Sequence, residues 1–338
     1  MRKLTFFLLL LILAAIAWGV FWIFGARTVE NVMNDWLAER RAEGWVAEAS
    51  ALETRGFPNR FDTTFEGLEL ADPDTEVGWS APAFQLLSLS YKPNHVIAVW
   101  PGQQTFSTPD ASYTMSAETM RGSIIISPSL SLETQSSTIE IAAASVTSTK
   151  GWTADLGSGQ ISMRARPDAA QAHTYDLYFT FSELDPGDAF LAPLKGVAGL
   201  PRVIDAVSMT ATGSFDKAWD LSAVEVARPQ LRALTINQIT ARWGDLLLVG
   251  GGALEVSVDG TPTGDLEFEA TNWRDMVDIA EATGAITPDA ARGITRALSL
   301  MANLSGDPEQ LDLTVSFRRG VMFLGPIPVG AAPDMGLP

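Results

Sequence analysis

The sequence predicts a mainly β protein with helices (α+β): an N-terminal transmembrane helix, then a large curved antiparallel sheet with a helical hairpin packed on it. Three observations carry this expectation. Residues 4–24 are uncharged and apolar; from Trp45 onward the hydrophobic period is two; and residues 272–303 return to helical spacing. A chain of 338 residues with 46% hydrophobic content has the length and composition to bury a substantial core.

The first element is "LTFFLLLLILAAIAWGVFWIF", residues 4–24, whose length as a helix matches a hydrocarbon core of roughly 30 Å. Fourteen of its positions are Leu, Ile, Phe or Val, so nothing in it opposes insertion. Arg2 and Lys3 hold the short side in the cytoplasm by the positive-inside rule, which predicts a single-pass protein with its C-terminal domain exported. The rival reading is a cleaved signal peptide, with Ala15, Ile16 and Ala17 as the A-x-A site. Cleavage there leaves "WGVFWIF" as an exposed terminus, which is physically poor. Residues 1–26 are therefore read as cytoplasmic tip and anchor.

Residues 27–44 are read as a juxtamembrane amphipathic helix, with Val29, Val32, Met33, Trp36 and Leu37 at helical spacing, Thr28 as cap and Gly44 as stop. Its apolar stripe either lies on lipid through Trp36 or packs on the following domain.

Residues 45–338 form the exported β-rich domain, divisible into two halves near 45–182 and 183–338. "RFDTTFEGLEL" alternates Phe61, Thr63 and Phe65, then slips at Gly67 to Leu68 and Leu70, which predicts a bulge. "HTYDLYFTF" puts Tyr175, Leu177, Phe179 and Phe181 on one face, and "LDLTVSF" does the same for Leu311, Leu313, Val315 and Phe317. So many short strands without crossover helices exclude a doubly wound parallel sheet. Between the strands, "DPGDAFLAPLKGVAG" reads as a short broken helix capped by Asp188. At residues 272–303, Asn272 caps one helix, Gly284 ends it, and Thr287 with Pro288 opens a second. Trp273, Met276, Val277, Ile294, Leu298 and Met301 form the face this hairpin turns to the sheet. At the C-terminus, Arg319 and Gly320 read as a turn between two strands, and "GPIPVG" as an edge held by Ile327 and Val329.

Little in the chain suggests chemistry. There is no cysteine, and His95 and His173 stand far apart, so no metal site and no cofactor are assigned. A net charge of −17 repels phosphate backbones, which argues against nucleic acid as a partner. Gly250, Gly251 and Gly252 follow an apolar run, as in a phosphate loop, but lead into "ALEVSVDG" rather than a helix; they read as a tight bend or bulge joining two strands, with Glu255, Glu267 and Glu269 facing solvent. "DPDTEVG" resembles the start of a calcium loop but has Val77 for the sixth-position Gly and Ala83 for the twelfth-position Glu. No catalytic residue is singled out among the 40 acidic side chains.

The "GFP" of Gly56–Pro58, "YKPNHVIAVW", "RWGDLLLVGGGALEVSVDGTPTGDLEFEATNW" and the ending "RRGVMFLGPIPVG" resemble the domain of unknown function 2125 family of bacterial envelope proteins. The resemblance implies structural motifs and carries no catalytic residue. The layout is also similar to AsmA-like envelope proteins, with one anchoring helix and curved sheets associated with lipid handling. The expected function is non-catalytic binding of a lipid, another apolar ligand or an envelope protein partner on the sheet, with the inner membrane engaged through residues 4–24. A structural or assembly scaffold is the alternative, and a carboxylate-dependent glycan hydrolase is the second alternative.

Overall fold

The computed structural model describes residues 2–129, 131–197, 199–305 and 307–336. It opens with a single helix, α1 (Arg2–Ala42), long and apolar enough to cross a membrane. No break separates the apolar run from the amphipathic part. Thr28 is not a cap: its hydroxyl donates to the Phe24 carbonyl at 2.9 Å, one turn back inside the helix. Gly44, at φ +94°, follows the last turn as expected.

Chain contacts divide the molecule into two units, Met1–Ile125 with Val146–Gly151, and Ile126–Ser145 with Trp152–Pro338. In the first unit α1 meets β1 (Val46–Glu48), β2 (Ala51–Arg55) and β3 (Arg60–Asp72). Met33 and Leu37 pack against Ala47, Phe65 and Leu68, whereas Val32 and Trp36 stay exposed, so the inner part of the predicted stripe faces a core. The Glu30 carboxylate accepts the Thr54 N–H at 2.7 Å and ties the helix to β2.

β3 pairs antiparallel with β4 (Val77–Leu89), and the register skips Gly67, which sits at φ +56°. The register is the same on both sides of Gly67, so the bulge expected there is absent: the buried face slips from Phe65 to Leu68 at a left-handed glycine, with no extra residue in either strand. β5 (Lys92–Val99), β6 (Gln104–Ser107) and β7 (Ser112–Ile126) complete the unit's antiparallel pairings. "DPDTEVG" is the β3–β4 turn, its Asp72 carboxylate accepting from the Asp74 N–H and the Thr75 hydroxyl. β8 (Thr134–Ser148) contributes residues to both units.

The second unit is a meander of β9 (Thr153–Ala165), β10 (Thr174–Asp185), β11 (Ile204–Phe215), β12 (Leu231–Trp243), β13 (Leu246–Val256), β14 (Pro262–Thr271), β15 (Gln310–Arg318), β16 (Val321–Leu324) and β17 (Ile327–Ala331). Each pairs antiparallel with the next. Among the described residues the chain thus forms a large antiparallel sheet of 17 strands with a few helices, the predicted fold class. The turn at Arg319 and Gly320 and the edge strand at Ile327–Ala331 also stand where the sequence placed them.

Short helices α2 (Gly187–Leu191) and α3 (Ser222–Glu225) interrupt the strands, α2 running on into a 3-10 turn, Ala192–Gly196. Asp188 does not cap α2. Its carboxylate pairs with Arg202 at 2.6 Å, and Asp185 accepts the Gly187 N–H instead. α4 (Trp273–Ala282) and α5 (Pro288–Ser305) form the expected hairpin between β14 and β15. Asn272 occupies the cap position in a left-handed conformation, but its side chain donates to the Asp245 carbonyl rather than to the helix.

Gly250–Gly252 are not a bend between two strands. They lie inside β13, opposite Ile236 and Ile239, where the register with β12 shifts. The bulge is accommodated by the partner strand, and the chain does not turn.

Candidate functional site

The period-two pattern of the second unit places apolar side chains on one face of β9 to β16. The registers join them into a continuous cross-strand row. Ile161 stands opposite Phe179, Phe179 opposite Met209, Met209 opposite Ile239, Ile239 opposite Gly250, Gly250 opposite Phe268, and Phe268 opposite Leu313. Gly250 has a specific part here: a Cβ at that position would run into the Phe268 ring, so its absence lets the aromatic lie across β13. Gly250 thus serves packing on this face.

α4 and α5 cover one end of the row. Trp273, 1% exposed, stands at the start of α4 beside Ala270, Leu298, Ala302 and Leu311, its indole N–H donating to the Pro308 carbonyl at 3.2 Å. The Arg274 guanidinium lies 4.5 Å from the centre of the Trp273 ring and also reaches the Pro308 carbonyl, at 2.7 Å. Met276, Val277, Ile294 and Leu298 face the sheet as the spacing predicted; the side chain of Met301 lies outside the described residues. The hairpin does not seal against the strands. A partly open cavity of about 280 Å³ remains, and every side chain lining it is apolar, among them Leu248, Met276, Ile286, Leu313 and Phe323. Val329 of the edge strand β17 closes one wall, so the proline-rich C-terminal segment is part of the site.

Beyond the helices the row stays partly open. Ile161 is 49% exposed, and Phe179, Phe181, Met209 and Ile239 are half-buried, with the Phe179 and Phe181 rings 5.7 Å apart. Neither phenylalanine belongs to a sealed core. The opposite face of the same strands is polar: Glu255, Glu267 and Glu269 are exposed, as expected from their alternation. On that face the Ser316 hydroxyl, with Arg318 beside it, holds the Asp265 carboxyl below the ordinary carboxylate range.

Among the described residues, no titratable side chain lines the apolar cavity. Asp275, on α4, is pushed up by burial and by the nearby charges of Asp278 and Glu309, but Arg274 is paired with Glu309 and the group stands away from the cavity lining. His95 bonds Ser123 in the first unit, and His173 is exposed in the second. Among the described residues, no three His, Cys, Asp or Glu side chains are placed to hold a metal. The cavity and the row beside it are thus suited to apolar contact.

No curated protein and no solved structure matches the chain. A family model described as "Uncharacterized protein conserved in bacteria (DUF2125)" matches residues 22–333. That span runs from the middle of α1 through the last strand and takes in the whole apolar face with its helical cover, and on this coverage the chain belongs to the DUF2125 family.

Proposed function

We propose that the protein is a membrane-anchored, non-catalytic envelope protein that holds the acyl chain of a lipid on the apolar face of its second unit. Residues 4–24 cross the inner membrane, with the N-terminus cytoplasmic and the remaining domain periplasmic. The observation that carries this reading is the unbroken row from Ile161 to Leu313, left half-exposed and continuous with an apolar cavity. An exposed apolar surface on an otherwise acidic protein needs an occupant. The cavity is near the lower end of small-ligand sites, which are roughly 300–1,000 Å³, so it suits part of a chain rather than a whole lipid.

A photo-crosslinking amino acid at Phe179 in the full-length protein, activated in bacterial membranes, tests the reading. Lipid adducts are expected at Phe179 and not at Glu267 on the polar face. Equal lipid labelling at both positions overturns it, and adducts to protein alone at Phe179 would support an assembly scaffold instead.

A further inference from the structure

A turn of the first unit reaches back along α1 to a depth the apolar run does not account for. Gly56–Arg60 joins β2 to β3 and lies against the helix. The Trp18 indole N–H donates to the Pro58 carbonyl at 2.7 Å, and the Trp22 indole N–H to the Arg60 carbonyl at 2.7 Å. Phe57 meets Trp22 edge-on at 5.5 Å yet remains 60% exposed. Trp18 lies six residues before Phe24, the last of the apolar run, about 9 Å at roughly 1.5 Å per residue.

Two placements of the bilayer boundary compete. Ending the hydrocarbon at Trp18 leaves Leu4–Ala17, about 21 Å of helix against a core of about 30 Å. It also strands Val20, Phe21, Ile23 and Phe24 in water, although they are 48%, 49%, 46% and 66% exposed. Ending it at Phe24 satisfies both the length and these side chains, and it puts Phe57 and Pro58 inside the leaflet.

We propose that Gly56–Arg60 is a wedge inserted into the outer half of the bilayer beside α1, with Phe57 among the phospholipid acyl chains. The proposal rests on the reading of residues 4–24 as a span. Irregular backbone enters lipid only where its polar groups are satisfied within the protein. Four carbonyls of this turn are satisfied in this way: Gly56 accepts from the Arg60 N–H at 2.9 Å, Asn59 from the Ser90 N–H at 3.0 Å, and Pro58 and Arg60 from the two indoles. Pro58 brings no N–H of its own. Arg27, exposed one turn beyond Phe24, stands at the level of the headgroup phosphates.

The chain contains no cysteine, so single labels can be placed in the full-length protein. Phe57→Cys, Asn59→Cys, Leu13→Cys and Asp74→Cys would each carry an environment-sensitive fluorophore in phosphatidylethanolamine–phosphatidylglycerol vesicles containing nitroxide-labelled acyl chains. Circular dichroism checks each fold, and Asn59 reports on the same turn should loss of the Phe57 ring disturb it. Quenching at positions 57 and 59 at least threefold above Asp74, strongest with shallow nitroxides, is expected, with position 13 quenched by deep ones. Labels at 57 and 59 that behave like Asp74 while Leu13 is quenched overturn the wedge and leave the span standing. An unquenched Leu13 overturns both.

Discussion

α1 and the α4–α5 hairpin both pack on strands, and they do so differently. α1 lays Met33 and Leu37 against Ala47, Phe65 and Leu68, where Ala47 is 0% and Leu37 4% exposed; that contact is filled. The α4–α5 hairpin buries Trp273 and Ala302 as completely, yet keeps a cavity of about 280 Å³. Ala270 and Ala280 face the space beneath the hairpin, where larger residues would close it. Burying a helix therefore does not by itself mark a site; unfilled apolar volume beneath it does.

The largest expected effect is loss of the anchor residue on each side. Trp273→Ala should destabilise the second unit by about 3–5 kcal/mol, and Leu37→Ala the first by about 2–5 kcal/mol, read as separate transitions in denaturant unfolding. A single shared loss for either variant would show that the two contacts are not independent. Next comes the reciprocal test of filling. Ala47→Leu in the closed contact should cost about 1–3 kcal/mol through overpacking. Ala280→Leu, growing into open volume, should change stability by less than about 1 kcal/mol while reducing lipid labelling at Phe179. Equal penalties for the two would erase the contrast.

The smallest effect is electrostatic. Asp275 has a folded-state pKa raised by burial and by its acidic neighbours Asp278 and Glu309, so its ionised form is disfavoured by folding. Its contribution to stability is full below the ordinary carboxylate pKa and is lost as pH rises through the raised value. Asp275→Asn should therefore raise Tm slightly at pH 7, by about a degree given solvent screening, and the gain should vanish below about pH 4.

Much of this architecture was legible in the sequence because it is written in local periodicity. The Gly67 slip marked a change of buried face, though with no register shift to make it a bulge, and Leu311 to Phe317 share the expected face. Thr28 and Asp188 have cap-type side chains but do not cap, because competing partners take them, a helical carbonyl for one and Arg202 for the other. The site was legible only in part. Phe179 and Phe181 carry the right chemistry, but their alignment with Met209, Ile239 and Leu313 depends on registers between strands far apart in the chain, which alternation alone does not specify. The Trp18 and Trp22 contacts with the β2–β3 turn lay hidden for the same reason: 40 and 38 residues separate the partners.

The unbroken course of α1 has a mechanical consequence. With no hinge between the apolar run and the part docked on β1 to β3, the 41-residue helix is a rod about 60 Å long rather than a tether. With residues 4–24 in a bilayer, the 18 residues from Phe24 to Ala42 become a lever arm of about 27 Å. A tilt of about 20°, ordinary for a helix adjusting to bilayer thickness, swings the far end by about 9 Å. The first unit is carried with it, so membrane thickness becomes a mechanical input to the part of the protein that stands outside.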